Sequence, residues 1–88
     1  MGLDTVETVL WAEQKFGVGI PDGEAAGILT VGQFASYIHR KLVLKHGLTA
    51  LSERQVFEIT KKYLVSHFEM KPEWITSEAE FIKDLGMG

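Results

Sequence analysis

Apolar residues recur at helical spacing over three long stretches of the chain, separated by glycine, proline and hydroxyl residues. Between Leu3 and Phe16, the side chains of Leu3, Val6, Val9, Leu10, Ala12 and Phe16 share one broad arc of a helical wheel, while Asp4, Glu7, Gln14 and Lys15 lie opposite. This predicts a core-facing helix, with Asp4 and Glu7 complementing the positive end of its dipole. Two residues break the pattern. Glu13 lands within the apolar arc and is expected at its edge with the carboxylate in water. Trp11 lands on the polar side and is expected to be half covered by a neighbouring loop. Gly17 is placed as a left-handed cap, Ile20 as a plug into the core, and residues 24–28 as a short helix. A second long stripe, Val31, Phe34, Ala35, Ile38 and Leu42, opens at a capping box of Thr30 and Gln33, and Arg40, Lys41 and Lys45 gather at its negative end. Gly47 should stop that helix. Ser52 with Gln55 forms another capping box, so residues 47–51 read as the turn of an antiparallel helical hairpin. The third stripe, Val56, Ile59, Tyr63, Leu64 and Phe68, predicts a helix over Glu53–Phe68. Pro72, Trp74, Ile75 and Phe81 then mark a long ordered loop, with one turn begun at Thr76 or Ser77. The fold class is all-α, a four-helix bundle.

At 88 residues the chain has room for one domain spanning 1–88, burying roughly 60–65% of its unfolded surface. The absence of cysteine excludes disulfides and thiolate chemistry and is compatible with a reducing cytoplasm. A net charge of −3 argues against a nucleic-acid partner, which clustered Lys and Arg would serve, and favours basic partners instead. No apolar run approaches the ~20 residues of a membrane span, and Met1-Gly2-Leu3-Asp4 lacks the basic start of a signal peptide, so a cytoplasmic protein with no membrane partner is expected. His39, His46 and His67 have neither the i, i+4 spacing nor a carboxylate motif of a metal site. With no phosphate-binding loop and no nucleophile elbow, no enzyme is expected.

Several short motifs share their spacing with one family. Leu3-Asp4-Thr5-Val6-Glu7, Phe16-Gly17, Ile20-Pro21-Asp22 and Thr30-Val31 stand as in the second half of an acyl carrier protein, and Phe81-Ile82-Lys83-Asp84-Leu85-Gly86 resembles the Phe-x-x-Asp-Leu-Gly that precedes that half. The order is inverted. Residues 1–46 resemble the family's second half and 52–88 its first, which is the connectivity of a circularly permuted carrier-protein bundle. A short turn at 47–51 would close the family's original ends, and the new ends would fall together at the start of the first helix.

The resemblance implies a site as well. Carrier proteins hold 4'-phosphopantetheine on a serine of an Asp-Ser-Leu motif; here Leu3 matches the leucine, Gly2 falls on the serine and Met1 on the aspartate. Gly2 has no hydroxyl, so no cofactor is expected in this form. A shifted reading makes Thr5 the acceptor, at the cost of shortening the spacing to Phe16. The family's partners, basic surfaces of acyl-chain synthase or transferase enzymes, would meet Asp4, Glu7 and Glu13, with Leu10 and Trp11 as an apolar contact beside them. A helical interaction module that docks to a partner without carrying acyl groups is the alternative. The resemblance also implies that Met1, Gly2, Met87 and Gly88 fray. Gly47 and the Ser52 cap favour a monomer that folds in cis, with a swapped dimer as the other outcome.

Overall fold

The computed structural model describes residues 2–88, which form helices α1 (Leu3–Phe16), α2 (Asp22–Ala25), α3 (Val31–His46) and α4 (Glu53–Phe68), with single 3₁₀ turns at Gly47–Thr49 and Pro72–Trp74. The expectations placed on Met1 lie outside the described residues. The bundle is all-α; among the described residues the extended pairing is one isolated antiparallel bridge, Thr30 to Glu80.

The long helices begin and end where local chemistry dictates. Thr30 and Ser52 each accept a hydrogen bond from the backbone N–H three residues on, and Gln33 and Gln55 reach back to the cap N–H groups, so both boxes close in full. Helix α1 stops at Gly17, whose φ of 66° no β-carbon would favour. The Lys45 ammonium donates to the Gly17 carbonyl at 2.6 Å, tying the end of α3 to the end of α1. Helix α3 packs along α4 across the Gly47–Thr49 turn, and the Nδ1–H of His39 donates to the Leu51 carbonyl at 2.9 Å, which sets that imidazole's tautomer.

Helix α3 supplies the centre of the core. Val31, Phe34, Ala35, Ile38 and Leu42 are all buried, as the stripe predicts, and Tyr37 joins them. From α4 come Val56 and Leu64, while Ile59, Tyr63 and Phe68 are only partly covered. Two buried threonines, Thr8 and Thr60, escape a reading by hydrophobicity; each hydroxyl donates to the carbonyl four residues back, so it enters the core already paired.

Three expectations need correction. The short helix is Asp22–Ala25 rather than 24–28, because Asp22 and Glu24 suit a first turn and Pro21 presets its entry. In α1 the face that packs is Thr8, Ala12 and Phe16, with Val9 and Trp11 partly covered, whereas Leu3 and Leu10 are 86% and 55% exposed and Val6 also reaches solvent. A wide apolar arc names the side that can be buried, and the neighbours decide how much of it is. At the other end Met87 is not frayed: it is 2% exposed and its N–H donates to the Phe81 carbonyl at 2.9 Å.

The segment after α4 is stitched to the start of α3. Val31, Gly32 and Phe81 donate backbone hydrogen bonds to Ala79, Ser77 and Leu29 respectively, at 2.9–3.0 Å. Gly32 permits this approach, since a β-carbon there would stand 2.8 Å from the Ser77 carbonyl oxygen.

One bond lends the fold a pH response. The Tyr37 hydroxyl donates to Glu24, bridging α3 to α2, and Lys41 stands 3.7 Å from the same carboxylate. Burial first, then the Glu24 hydrogen bond and charge, push the Tyr37 hydroxyl up to about 12 from its ordinary 10, whereas the Tyr37 bond chiefly holds the Glu24 carboxyl low. The fold favours neutral Tyr37, so its contribution is complete below pH 10 and lost as the pH rises toward 12. Denaturation series across that window should show an alkaline loss that Tyr37→Phe lessens; an identical decline in both proteins would assign it to other groups.

Candidate functional site

Everything that the sequence places at the acceptor position meets at the first turn of α1. Gly2 is the extended N-cap, and its carbonyl accepts from Val6 N–H at 3.1 Å. The end of the chain sits against the same turn: the Gly88 carbonyl accepts from Thr5 N–H at 3.1 Å, and Gly88 N–H lies 3.5 Å from the Asp4 carboxylate. An unpaired N–H of the helix start is thereby satisfied by a residue 83 positions away. A β-carbon built on Gly2 would overlap the Gly88 carbonyl carbon. The position that would carry a side chain is filled by backbone.

Thr5, the other candidate acceptor, has its hydroxyl engaged. The group donates to the Gly2 carbonyl at 2.8 Å and lies 3.3 Å from the Gly88 carbonyl, so its proton is directed at the backbone and its oxygen is partly covered. Gly2 has no hydroxyl to esterify, and the Thr5 hydroxyl is engaged with the backbone of the helix start.

Beside this turn lies an apolar cavity of about 330 Å³. Helix α1 contributes Thr8 and Val9 to it, α3 contributes Phe34, and the C-terminal segment contributes Phe81 and Met87. Leu29 and Ile82, both more than half exposed, stand at its rim with Lys83 nearby. The motif Phe81-Ile82-Lys83-Asp84-Leu85-Gly86 builds this wall because it is wound into turns: Asp84 and Leu85 donate to the Glu80 carbonyl, and the Asp84 carboxylate accepts from Glu80 N–H at 2.7 Å. Sequence reading missed the cavity, since its lining comes from four separated segments and leaves no local pattern.

The candidate partner residues on α1 divide. Asp4 and Glu7 lie in the outer face near exposed Leu3, Val6 and Leu10. Glu7 has a partner within the fold, because the Nε2–H of His67 on α4 donates to its carboxylate at 2.5 Å; the carboxylate that the sequence spacing did not provide for His67 comes from another helix. Two other residues are corrected. The Glu13 carboxylate is not left in water but accepts from Ile20 N–H at 2.8 Å, anchoring the loop after α1. Trp11 is covered by α4 rather than by a loop: its ring stacks on Tyr63 with centroids 4.0 Å apart and planes within 10°, and meets Phe16 edge-on. His67 also stacks on Tyr63, with centroids 5.0 Å apart. Both residues hold the fold. Among the described residues, no group of three or more His, Asp or Glu is placed to hold a metal ion, and no helix is long and apolar enough to cross a membrane.

Comparison with known proteins agrees with part of this picture. The acyl carrier protein of Sinorhizobium fredii (strain NBRC 101917 / NGR234) and the acyl carrier protein AcpP of Rhizobium meliloti (strain 1021) are each 53% identical to the chain over 38 residues, covering 43% of the chain and 49% of the relative. The chain thus spans about half the length of the curated relatives it matches. No family model matches, and no solved structure does.

Proposed function

We propose that this chain is an acyl-carrier-protein-like domain in circularly permuted order, which has an apolar cavity and keeps the family's partner-facing helix but accepts no phosphopantetheine. The observation that carries this reading is the meeting of the two ends of the chain. The segment after Phe81 runs into the first turn of α1 and bonds to it through Thr5 and Asp4, where an unpermuted chain would simply continue. The 38-residue similarity supports the carrier-like half. Gly2 and the engaged Thr5 hydroxyl support the loss of the acceptor. In this reading Asp4 and Glu7 meet the basic surface of an acyl-chain synthase or transferase, with Leu10 as the apolar contact.

The test is incubation with coenzyme A and a broad-specificity phosphopantetheinyl transferase, followed by intact-mass measurement. No mass gain is expected, whereas a stoichiometric adduct mapped to Thr5 would overturn the proposal. Gly2→Ser by itself should also remain unmodified in the folded protein, because Gly88 occupies the space of the new side chain.

A second reading, an interaction module that never handles acyl groups, draws on the ridge of Leu3, Val6 and Leu10 left open along α1. Partner capture by Asp4→Asn with Glu7→Gln, compared with Leu3→Ser with Val6→Ser, separates the two: loss in the first pair favours the carrier-like domain, and loss only in the second favours the interaction module.

A further inference from the structure

Charge is segregated along this chain. Residues 25–52 hold Arg40, Lys41 and Lys45 and no carboxylate, while the remainder holds the other six Lys and Arg against all twelve Asp and Glu, so a +3 stretch sits within a chain of net −3. The three cations lie on the last turns of α3, beside apolar residues that the fold leaves uncovered. Leu44 is 85% exposed, Leu48 in the turn that follows is 107% exposed, and Val43 is also open. Arg40 and Leu44 stand one turn apart on α3 with Lys41 and Lys45 on the adjacent row, and Leu48 follows in the turn beyond the helix end. Ile38 and Leu42 already fill the core side of this helix, and packing within the chain does not account for the exposed pair.

The geometry points to this tip, the end of α3 and the Gly47–Thr49 turn, as a docking site for an anionic bilayer surface. Leu48 stands fully exposed on the turn, while Leu44, Arg40 and Lys41 rim an open hollow against α2 in which the Glu24 carboxylate disfavours an acidic protein segment. A bilayer needs no matching socket. It receives projecting leucines at the boundary between headgroups and acyl chains while cations at the same depth meet lipid phosphates. Lys45 remains exposed although its ammonium donates to the Gly17 carbonyl. Lys41 is partly offset by Glu24 at 3.7 Å, and the next carboxylate, Glu53, lines a separate groove with Gly32 and Ala35. A membrane span needs ~20 apolar residues, whereas a surface contact of one helix end needs only a few.

The probe is vesicle co-sedimentation of the full chain, with phosphatidylcholine alone compared with an equimolar mixture of phosphatidylcholine and phosphatidylglycerol. Partition into the mixed vesicles should be at least ~10-fold stronger at low salt, at about fivefold per effective cation, and should fall as salt screens the cations. Leu44→Ser with Leu48→Ser should weaken it by ~10-fold or more without changing the circular dichroism spectrum, since both side chains are exposed. Arg40→Gln should weaken it by about fivefold, and Leu48→Trp should give a blue shift in fluorescence with the mixed vesicles only. Failure to sediment with the anionic vesicles at low salt, equal partition into phosphatidylcholine alone, or indifference to the paired serine substitutions would each overturn the proposal. So would tight binding of polyglutamate that the same substitutions abolish, which would assign the tip to an acidic protein partner.

Discussion

Ile38→Ala is expected to lower the stability of the fold by about 2–5 kcal/mol, the range for deleting a fully buried aliphatic side chain and leaving part of its volume empty. Ile38 is 0% exposed and lies midway along α3, between the stripe positions Phe34 and Leu42. A chain of 88 residues has a total stability of roughly 4–13 kcal/mol at typical values per residue, so the loss is a large fraction of the whole. The midpoint of thermal unfolding should fall by ~8 °C or more, given about 4–8 °C per kcal/mol for domains of this size. Urea denaturation followed by far-ultraviolet circular dichroism would measure it. A loss under ~1 kcal/mol would mean that the site collapses around the smaller side chain and that α3 is not the centre of the core.

Trp11→Ala should cost about 2–3 kcal/mol, less than a fully buried Trp because one side of the ring remains open, yet more than its area alone because a stacked pair is lost as well. The resemblance assigns Trp11 to a partner contact, and the stack of Trp11, Tyr63 and His67 assigns it to the join between α1 and α4. Stability separates these roles. A surface contact residue would unfold at the same denaturant concentration after truncation, whereas a Trp that clamps α1 to α4 would not. Trp11→Phe should recover part of the loss, and the near-ultraviolet dichroism should weaken in the alanine variant. Unchanged denaturation in Trp11→Ala would return the residue to the partner face.

What the amino-acid order determines by itself is local. The bounds of α1, α3 and α4 follow from apolar spacing, two Ser/Thr-x-x-Gln boxes and Gly17 and Gly47, all of which act within one or two turns of the chain. Every residue of the α3 stripe is buried because that helix is covered on one side, and only Tyr37 joins them from outside the stripe. The α1 arc is buried only in part, since Leu3 and Leu10 differ from Ala12 only in whether a neighbour arrives to cover them. Thr8 and Thr60 carry polar letters but meet their hydrogen-bond needs within their own helix, so hydropathy misplaces them. The tertiary structure alone decided the pairings between distant residues: Glu13 with Ile20 N–H, His67 with Glu7, Lys45 with the end of α1, and Gly88 with the first turn of α1. The physical reason is the same for each. A side chain's partner is whichever group the packed helices bring within about 3 Å, and neither spacing nor propensity records that distance until the helices lie side by side.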